Sequence, residues 1–306
     1  MQVLVAAQPD VILLTGFDYD LGGAALTAFA ALAGEAGAAY PHRLAFLPNT
    51  GMATGRDLDG DGRAGGPRDA QGFGEFAGQG GMALLSRLPL DGSAHRDFSA
   101  FLWRDLPGAI PPDDMAPDQR LSSVAHWDLA LALPDGRPVR LWAWHATPPV
   151  FDGPEDRNGR RNHDEAAFWL RYLEGALPWR PEEAPFLLMG DANLDPVDGD
   201  GRPEALLGLL GHPRIIDAAP RSTGGAAASA RDGGANAAHR GDPARDTADW
   251  QDGPGQPGNL RVDYVLPSRE WRVRDSGVWW PETEPAAGIA AAASRHRLVW
   301  VDVELP

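Results

Sequence analysis

The residues best suited to chemistry sit where apolar runs end. In Phe186-Leu-Leu-Met-Gly-Asp191-Ala-Asn193, a buried-strand pattern runs into Gly190 and then presents Asp191 and Asn193. Residues i and i+2 of an extended chain point the same way, so a carboxylate and a carboxamide would stand side by side at a sheet rim. The carboxylate can accept a proton from water, and the amide can orient a nucleophile or a phosphoryl oxygen. An Asp/Asn turn after a strand is the plainer alternative. Arg261-Val-Asp263-Tyr264-Val-Leu266 places Asp263 inside a β-rich run, where aspartate is disfavoured. A buried carboxylate needs a partner; a histidine or arginine on an adjacent strand would serve, and an edge position facing water would remove the need. Two histidines mark further strand ends: His145 closes Leu141-Trp-Ala-Trp, and His296 precedes Leu298-Val-Trp-Val-Asp-Val303. A lone histidine is more often structural than catalytic. Two of them, with an Asp-x-Asn and an Asp, form a constellation.

Short apolar runs, separated by turn-rich stretches, must position these groups. Strands are predicted at 11–14, 44–47, 82–85, 124–133, 139–145, 186–189, 262–266, 273–280 and 298–303. Helices are predicted at 22–36, at 162–174 with Phe168, Trp169, Tyr172 and Leu173 as an apolar stripe, and at 203–210. Many strands and few helices in mixed order suggest two packed sheets with helices outside. Three long connections, 48–79, 105–119 and 218–259, are either functional or disordered. Within the last, 224–236 reads as a surface excursion, whereas polar and charged residues concentrate at 239–249.

Composition narrows the chemistry. The 306 residues carry 27 basic and 43 acidic side chains, a formal charge of −16. Cysteine and lysine are absent, so every basic residue is arginine. Thiol nucleophiles, thiolate zinc sites, Schiff bases and P-loop lysines are thereby excluded. Eleven Trp and 43% hydrophobic residues support a sizeable core. No run approaches the ~18 apolar residues of a membrane span, and the first ten residues do not form a signal peptide. The acidic balance argues against general polyanion binding, but a metal ion can reverse the local field around a phosphate. Asp57-Leu-Asp59-Gly-Asp61-Gly62 alternates carboxylates like a Ca²⁺ loop. Arg68 at the twelfth position rules out an EF-hand, which leaves a looser Ca²⁺ or Mg²⁺ site or a solvated acidic turn. The one dense basic stretch, Asp156-Arg157-Asn158-Gly-Arg160-Arg161-Asn162-His163, could bind phosphate through Arg forks and a helix N-terminus, or be neutralised by Asp156, Asp164 and Glu165.

Gly190-Asp191-Ala-Asn193, Arg261-Val-Asp263-Tyr264 and Ser294-Arg295-His296 occur in the order and at roughly the spacing found in the endonuclease/exonuclease/phosphatase, or DNase I-like, superfamily. The chain resembles a bacterial branch of it, a likeness that extends through Phe17-Asp18-Tyr19-Asp20, Asp69-Ala-Gln71-Gly72-Phe73-Gly74 and the segment 147–165. The resemblance implies a four-layered α/β sandwich, with two packed mixed β-sheets flanked by helices, as a single domain over 1–306. It implies hydrolysis of a phosphodiester or phosphomonoester, in a small molecule or nucleic acid, with Mg²⁺ or else Mn²⁺ or Ca²⁺. On this likeness Asp191 is the base that activates water and Asn193 orients the phosphate. His296 contacts the scissile phosphate, Asp263 orients His296, and His145 stabilises phosphoryl charge.

The chain also departs from the pattern. The superfamily's first strand has no counterpart, which implies that about forty N-terminal residues are missing and leaves export from the cytoplasm open. Gly16 stands where a metal-ligand Glu is expected, so Asp18 or Asp20 would join Asp191 and Asn193 around the metal. Arg295 replaces an Asp beside the final histidine and could clamp phosphate together with Arg157, Asn158 and Arg161. The rival reading is a catalytically impaired member of the fold that binds a phosphorylated ligand or partner without turnover.

Overall fold

The computed structural model describes residues 1–305. Its strands are β1 (Val11–Phe17), β2 (His42–Leu44), β3 (Gly81–Ser86), β4 (Arg96–Asp97), β5 (Ala125–Ala132), β6 (Pro138–His145), β7 (Phe186–Asp191), β8 (Ala248–Asp249), β9 (Asn259–Leu260), β10 (Asp263–Pro267), β11 (Arg272–Trp279) and β12 (Leu298–Glu304). Its helices are α1 (Gln2–Ala7), α2 (Ala24–Glu35), α3 (Arg157–Leu173), α4 (Glu204–Leu210), α5 (Thr223–Asp232) and α6 (Ala286–Ala293).

Strand alternation sorts side chains into layers. One sheet has the order β1-β3-β2, all antiparallel; a second has the order β10-β7-β6-β5-β4, in which only β6 and β7 run parallel. Val11 and Leu13 of β1 and Met82 and Leu84 of β3 face Trp127, Leu129, Leu141 and Ala143 of β5 and β6, forming the core between the sheets. The alternate residues of the first sheet, Ile12, Leu14, Ala83 and Leu85, pack on Leu26, Ala30 and Ala33 of α2. Those of the second, Trp142, Trp144, Phe186 and Leu188, pack on α3 and α4. The result is the four-layered α/β sandwich expected from the sequence. The β11-β12 pair contributes Val303 to the inter-sheet core and Leu298 to the α2 side.

Helix α3 is the main anchor of the outer layer. Its apolar face is aromatic: Phe168, Trp169 and Tyr172 are fully buried, Trp142 stacks on Phe186 at 3.9 Å, and Trp169 stacks on Trp142 at 5.5 Å. Burial of Phe168 alone is worth about 1.5–3 kcal/mol. The Tyr172 hydroxyl donates to Asp128 at 2.6 Å, and Arg140 Nε donates to the other oxygen of Asp128 at 2.7 Å. This buried ion pair fixes β5 and β6 against α3.

The long connections are built, not floppy. Residues 224–236, read from the sequence as a surface excursion, lie mostly within α5. Ser222 caps that helix by accepting from Gly225 N at 3.1 Å, and Ala228 packs against Val278 and Trp280. Glycine and alanine give this segment little amphipathic pattern, so packing decides its conformation. In the 48–79 connection, Asn49 is buried and its amide donates to Ser99 O and Ser122 O at 2.7 and 2.8 Å.

Candidate active site

The layer arrangement determines where the chemistry sits. In β6, residues 139, 141, 143 and 145 form one alternate set, and Val139, Leu141 and Ala143 lie in the inter-sheet core. In β7, Leu187 and Met189 share that core, and Asp191 continues their face. His145 and Asp191 are register partners across the parallel β6–β7 ladder, and Asp191 and Asp263 across the antiparallel β7–β10 ladder. Register partners point the same way. His145, Asp191 and Asp263 therefore form one row over three neighbouring strands, at the rim where the inter-sheet core ends. Gly190 makes the β6–β7 approach close: its φ is +151°, and a Cβ there would lie 1.9 Å from Trp144 O.

His296 joins the row from the turn before β12, held by a bridge between Ala248 and His296. Its Nδ1 lies 3.0 and 3.1 Å from the two oxygens of Asp263 and 3.7 Å from Asp191 Oδ2, and the edge of Trp250 packs on its ring at 5.4 Å. Nε2 of His296 makes no hydrogen bond. Burial opposes charge on His296, but the carboxylates of Asp263 and Asp191 outweigh it and raise its pKa to about 9. Burial, and next the Asp263 carboxylate, push Asp191 up to about 7. His145 Nε2 is 3.4 Å from Asp191 Oδ2, while its Nδ1 is buried without a partner. Burial, then the nearby His296 cation, lower His145 to about 4. At neutral pH the rim thus holds a neutral His145, a cationic His296 paired with Asp263, and an Asp191 that burial and the Asp263 carboxylate make a stronger proton acceptor than an ordinary aspartate.

Asn193 adopts φ +49°, and its backbone N donates to Asp191 Oδ1 at 2.7 Å. Its side-chain Nδ2 donates to Ala146 O at 2.8 Å, leaving Oδ1 without a partner. The five residues proposed from strand ends therefore come together.

Other residues singled out from the sequence lie elsewhere or are engaged. Arg161 is buried, and its guanidinium donates to the carbonyls of Gln71, Arg120, Leu121 and Ser122 at 2.6–3.0 Å. Arg157 pairs with Asp114 at 2.9 Å, and Asn158 Nδ2 donates to Val150 O at 2.6 Å. Arg295 is exposed beside His296, and its side chain makes no hydrogen bond or ion pair. Asp20 accepts from Ala24 N and Ala25 N at 2.8 and 2.9 Å, capping α2, and Asp18 accepts from Gly80 N at 2.8 Å. Both line a cleft of about 320 Å³ with Arg43 and Thr27. Asp57, Asp59 and Asp61 are exposed and accept backbone N–H groups of Gly60, Gly62, Asp61 and Arg63 within their own turn.

Two groups of supporting residues carried no legible signal. Thr247, 1% exposed, donates its hydroxyl to Asp263 Oδ2 at 2.8 Å and accepts from Val262 N and Asp263 N at 3.0 Å each. It orients the carboxylate that holds His296. On α3, Asn162 Nδ2 donates to Thr147 O and Ala192 O at 2.7 Å each, tying the loop after His145 to the loop after Asp191. Glu165 accepts from Ser123 N, Ser123 Oγ and Thr147 N. The polar N-terminal half of α3 is thus a brace for the rim, consistent with Arg161, Asn162 and Glu165 recurring at helical spacing on one side.

Within the described residues, the ligand atoms of Asp191, Asp263 and His296 lie within 4.8 Å of one another, as do those of the exposed Asp57, Asp59 and Asp61. In the first group only Asp191 is buried, and the carboxylates, not the protonated His296, are its members suited to a divalent cation. Two neighbouring carboxylates share one cationic histidine, and Asp191 Oδ2 and Asn193 Oδ1 are hard oxygen donors without a hydrogen-bond donor of their own.

The fold is DNase I-like, with its acidic, histidine-bearing site at one rim of a four-layered sandwich. The chain belongs to the endonuclease/exonuclease/phosphatase family, whose sequence profile it matches over residues 1–296. Members of this family are typically hydrolases acting on phosphoester bonds. Among solved structures, it is similar to an endonuclease/exonuclease/phosphatase from Beutenbergia cavernae, at 17% identity and a TM-score of 0.58. That alignment covers 99% of this chain but 64% of the other. It also resembles a family protein from Leptotrichia buccalis, at 14% identity and TM-score 0.52, covering 99% of this chain and 90% of that one. A third, from Bacteroides vulgatus, shows 12% identity and TM-score 0.52, covering 100% and 88%. No functionally curated protein matches the chain. No helix among the described residues is long and apolar enough to cross a membrane.

Proposed function

We propose that the protein hydrolyses a phosphodiester or phosphomonoester with a divalent cation, Mg²⁺ or Mn²⁺, held by Asp191 and Asn193. The reading rests on the row of His145, Asp191 and Asp263, with His296 clamped on Asp263. When bound, the ion neutralises phosphoryl charge and eases deprotonation of water. Asp191 accepts the proton of the attacking water at Oδ2. His296, kept protonated by Asp263, donates from its free Nε2 to a phosphoryl oxygen and stabilises the charge that spreads there. His145 stays neutral beside the base, its Nε2 3.4 Å from Asp191 Oδ2. Arg295 adds a fixed cation at the mouth, while Arg157, Asn158 and Arg161 hold the surrounding loops.

The test is turnover of bis-p-nitrophenyl phosphate and p-nitrophenyl phosphate with Mg²⁺, Mn²⁺ or Ca²⁺. Asp191→Asn and His296→Ala should each lose a factor of about 10² or more; unchanged rates in both would sink the assignment. A binding role without turnover is the second reading. It is favoured by Gly16, which offers no carboxylate, and by the backbone hydrogen bonds that occupy Asp18 and Asp20. It predicts that a phosphoester binds intact and is released unhydrolysed.

A further inference from the structure

The turn that carries His296 is held to its neighbours by little main chain. The bridge between Ala248 and His296 rests on two hydrogen bonds, Arg297 N to Thr247 O at 2.6 Å and Asp249 N to Arg295 O at 3.0 Å. β8, on the far side of that bridge, is only two residues long. So short a ladder opens locally at small cost. A side chain supplies the rest of the attachment. Arg297 is 6% exposed, and its guanidinium joins three elements around the turn. Nη1 donates to Ala290 O at 3.0 Å and to Ser294 O, at the end of α6. Nη2 donates to Asp249 Oδ2 on β8 at 2.5 Å. The guanidinium lies over the ring of Trp280, 4.7 Å from its centroid, just past the end of β11.

The same short segment reaches Asp263. Thr247 donates its hydroxyl to Asp263 Oδ2, its carbonyl accepts from Arg297 N, and it lies two residues before Asp249. One piece of chain therefore touches both partners of the Asp263–His296 pair, and Arg297 locks it to the turn that bears the histidine. We propose that Arg297 and Asp249 are positioning residues: their ion pair fixes the 294–297 turn against β8 and so holds the His296 ring on Asp263. The contact they protect spans 3.0–3.1 Å, so a displacement of about 1 Å breaks it. Stability alone does not account for such a pair, because burying the guanidinium offsets much of the attraction. The inference rests on the proposed contact of His296 with a phosphoryl oxygen.

The experiment compares Asp249→Ala, which removes the acceptor of Nη2, with Asp249→Asn, which retains one, both in the full chain. The Asp249 side chain is 29% exposed, so neither substitution opens a cavity in the core. Arg140→Met, at the opposite end of β6 from His145, serves as a control for lost stability alone. In the metal-free protein, the low-field imidazole N–H signal of His296 reports its hydrogen bond to Asp263 and is assigned by its loss in His296→Ala. Asp249→Ala should abolish that signal, whereas Asp249→Asn and Arg140→Met should keep it. With Mn²⁺ and bis-p-nitrophenyl phosphate, Asp249→Ala should lower kcat about tenfold or more while KM changes less than about twofold, and Asp249→Asn should restore most of the rate. If Asp249→Ala melts at a lower temperature but keeps both the signal and the native kcat, the ion pair is only structural and the proposal is overturned. If the native protein turns over no phosphoester, the activity proposed for the site fails, and the imidazole signal still decides whether Asp249 and Arg297 hold His296.

Discussion

Thr247→Val tests the least conspicuous part of the site. The substitution preserves shape, so it leaves no cavity, but it removes a hydroxyl that makes three contacts of 2.8–3.0 Å. Val262 N and Asp263 N lose their acceptor, and Asp263 Oδ2 loses a donor while keeping His296. A buried polar group left unsatisfied costs about 1–3 kcal/mol. With partial relaxation of the two amides, a loss of about 2–4 kcal/mol in unfolding free energy is expected. Asp263 would then be free to rotate away from His296, which should lower kcat about tenfold with little change in KM. Thr247→Ser retains the hydroxyl and should retain most of both properties. Urea denaturation measures the first effect and Mn²⁺-supported diesterase kinetics the second. If the Val and Ser variants unfold at the same urea concentration and turn over alike, Thr247 does not orient Asp263 and the reasoning fails.

Three further outcomes are expected. Gly190→Ala combines a left-handed φ with a Cβ 1.9 Å from Trp144 O; it should cost more than about 3 kcal/mol and displace Asp191, read as a lower melting temperature and lost turnover. Arg140→Met leaves the fully buried Asp128 with Tyr172 and without its buried cationic partner, since Arg140 and Asp128 are 1% and 0% exposed; a loss of about 3–5 kcal/mol in chemical denaturation is expected. His126 is buried, with Nδ1 against Ser122 Oγ at 2.6 Å and Nε2 against Glu165 O at 3.0 Å, and burial lowers its pKa from 6.5 to about 4. The unfolded chain binds this proton more tightly than the folded one, so stability is full above pH 6.5 and declines as pH falls toward 4. The difference amounts to about 3 kcal/mol, and His126→Gln should flatten that part of the pH–stability curve; an unchanged slope would count against it.

Much of the fold was legible because alternation is a local property. Of the strands that build the two sheets, β1, β3, β5, β6, β7 and β10 follow the apolar runs at 11–14, 82–85, 124–133, 139–145, 186–189 and 262–266 within a few residues, whereas β2 ends at Leu44, where the run read as a strand at 44–47 begins, and the two-residue β4 follows no apolar run. The helix around Phe168 to Leu173 announced itself by its aromatic stripe, although it starts earlier, at Arg157. Helices α1, α5 and α6 were not legible. They are short or rich in Ala and Gly, and packing of residues such as Leu4 and Ala228 decides them. The basic stretch 156–163 shows the limit most clearly. Its composition suits phosphate, yet Arg161 is turned inward onto four carbonyls of the chain itself.

The sequence by itself determined the face on which each strand-end residue would stand, because the side-chain period of an extended chain is two. It also showed that Asp263, a carboxylate within a β-rich run, would need a partner if buried. Only the tertiary structure decided which partner that was. The register of β6, β7 and β10 aligns His145, Asp191 and Asp263 in one row, and the turn before β12 brings His296 onto Asp263 from 33 positions away. Thr247 and the brace on α3 belong to the same category. Their hydrogen-bond partners lie between 15 and 90 residues distant in the chain, and no local pattern of residue types encodes a contact that exists only once the two sheets have closed.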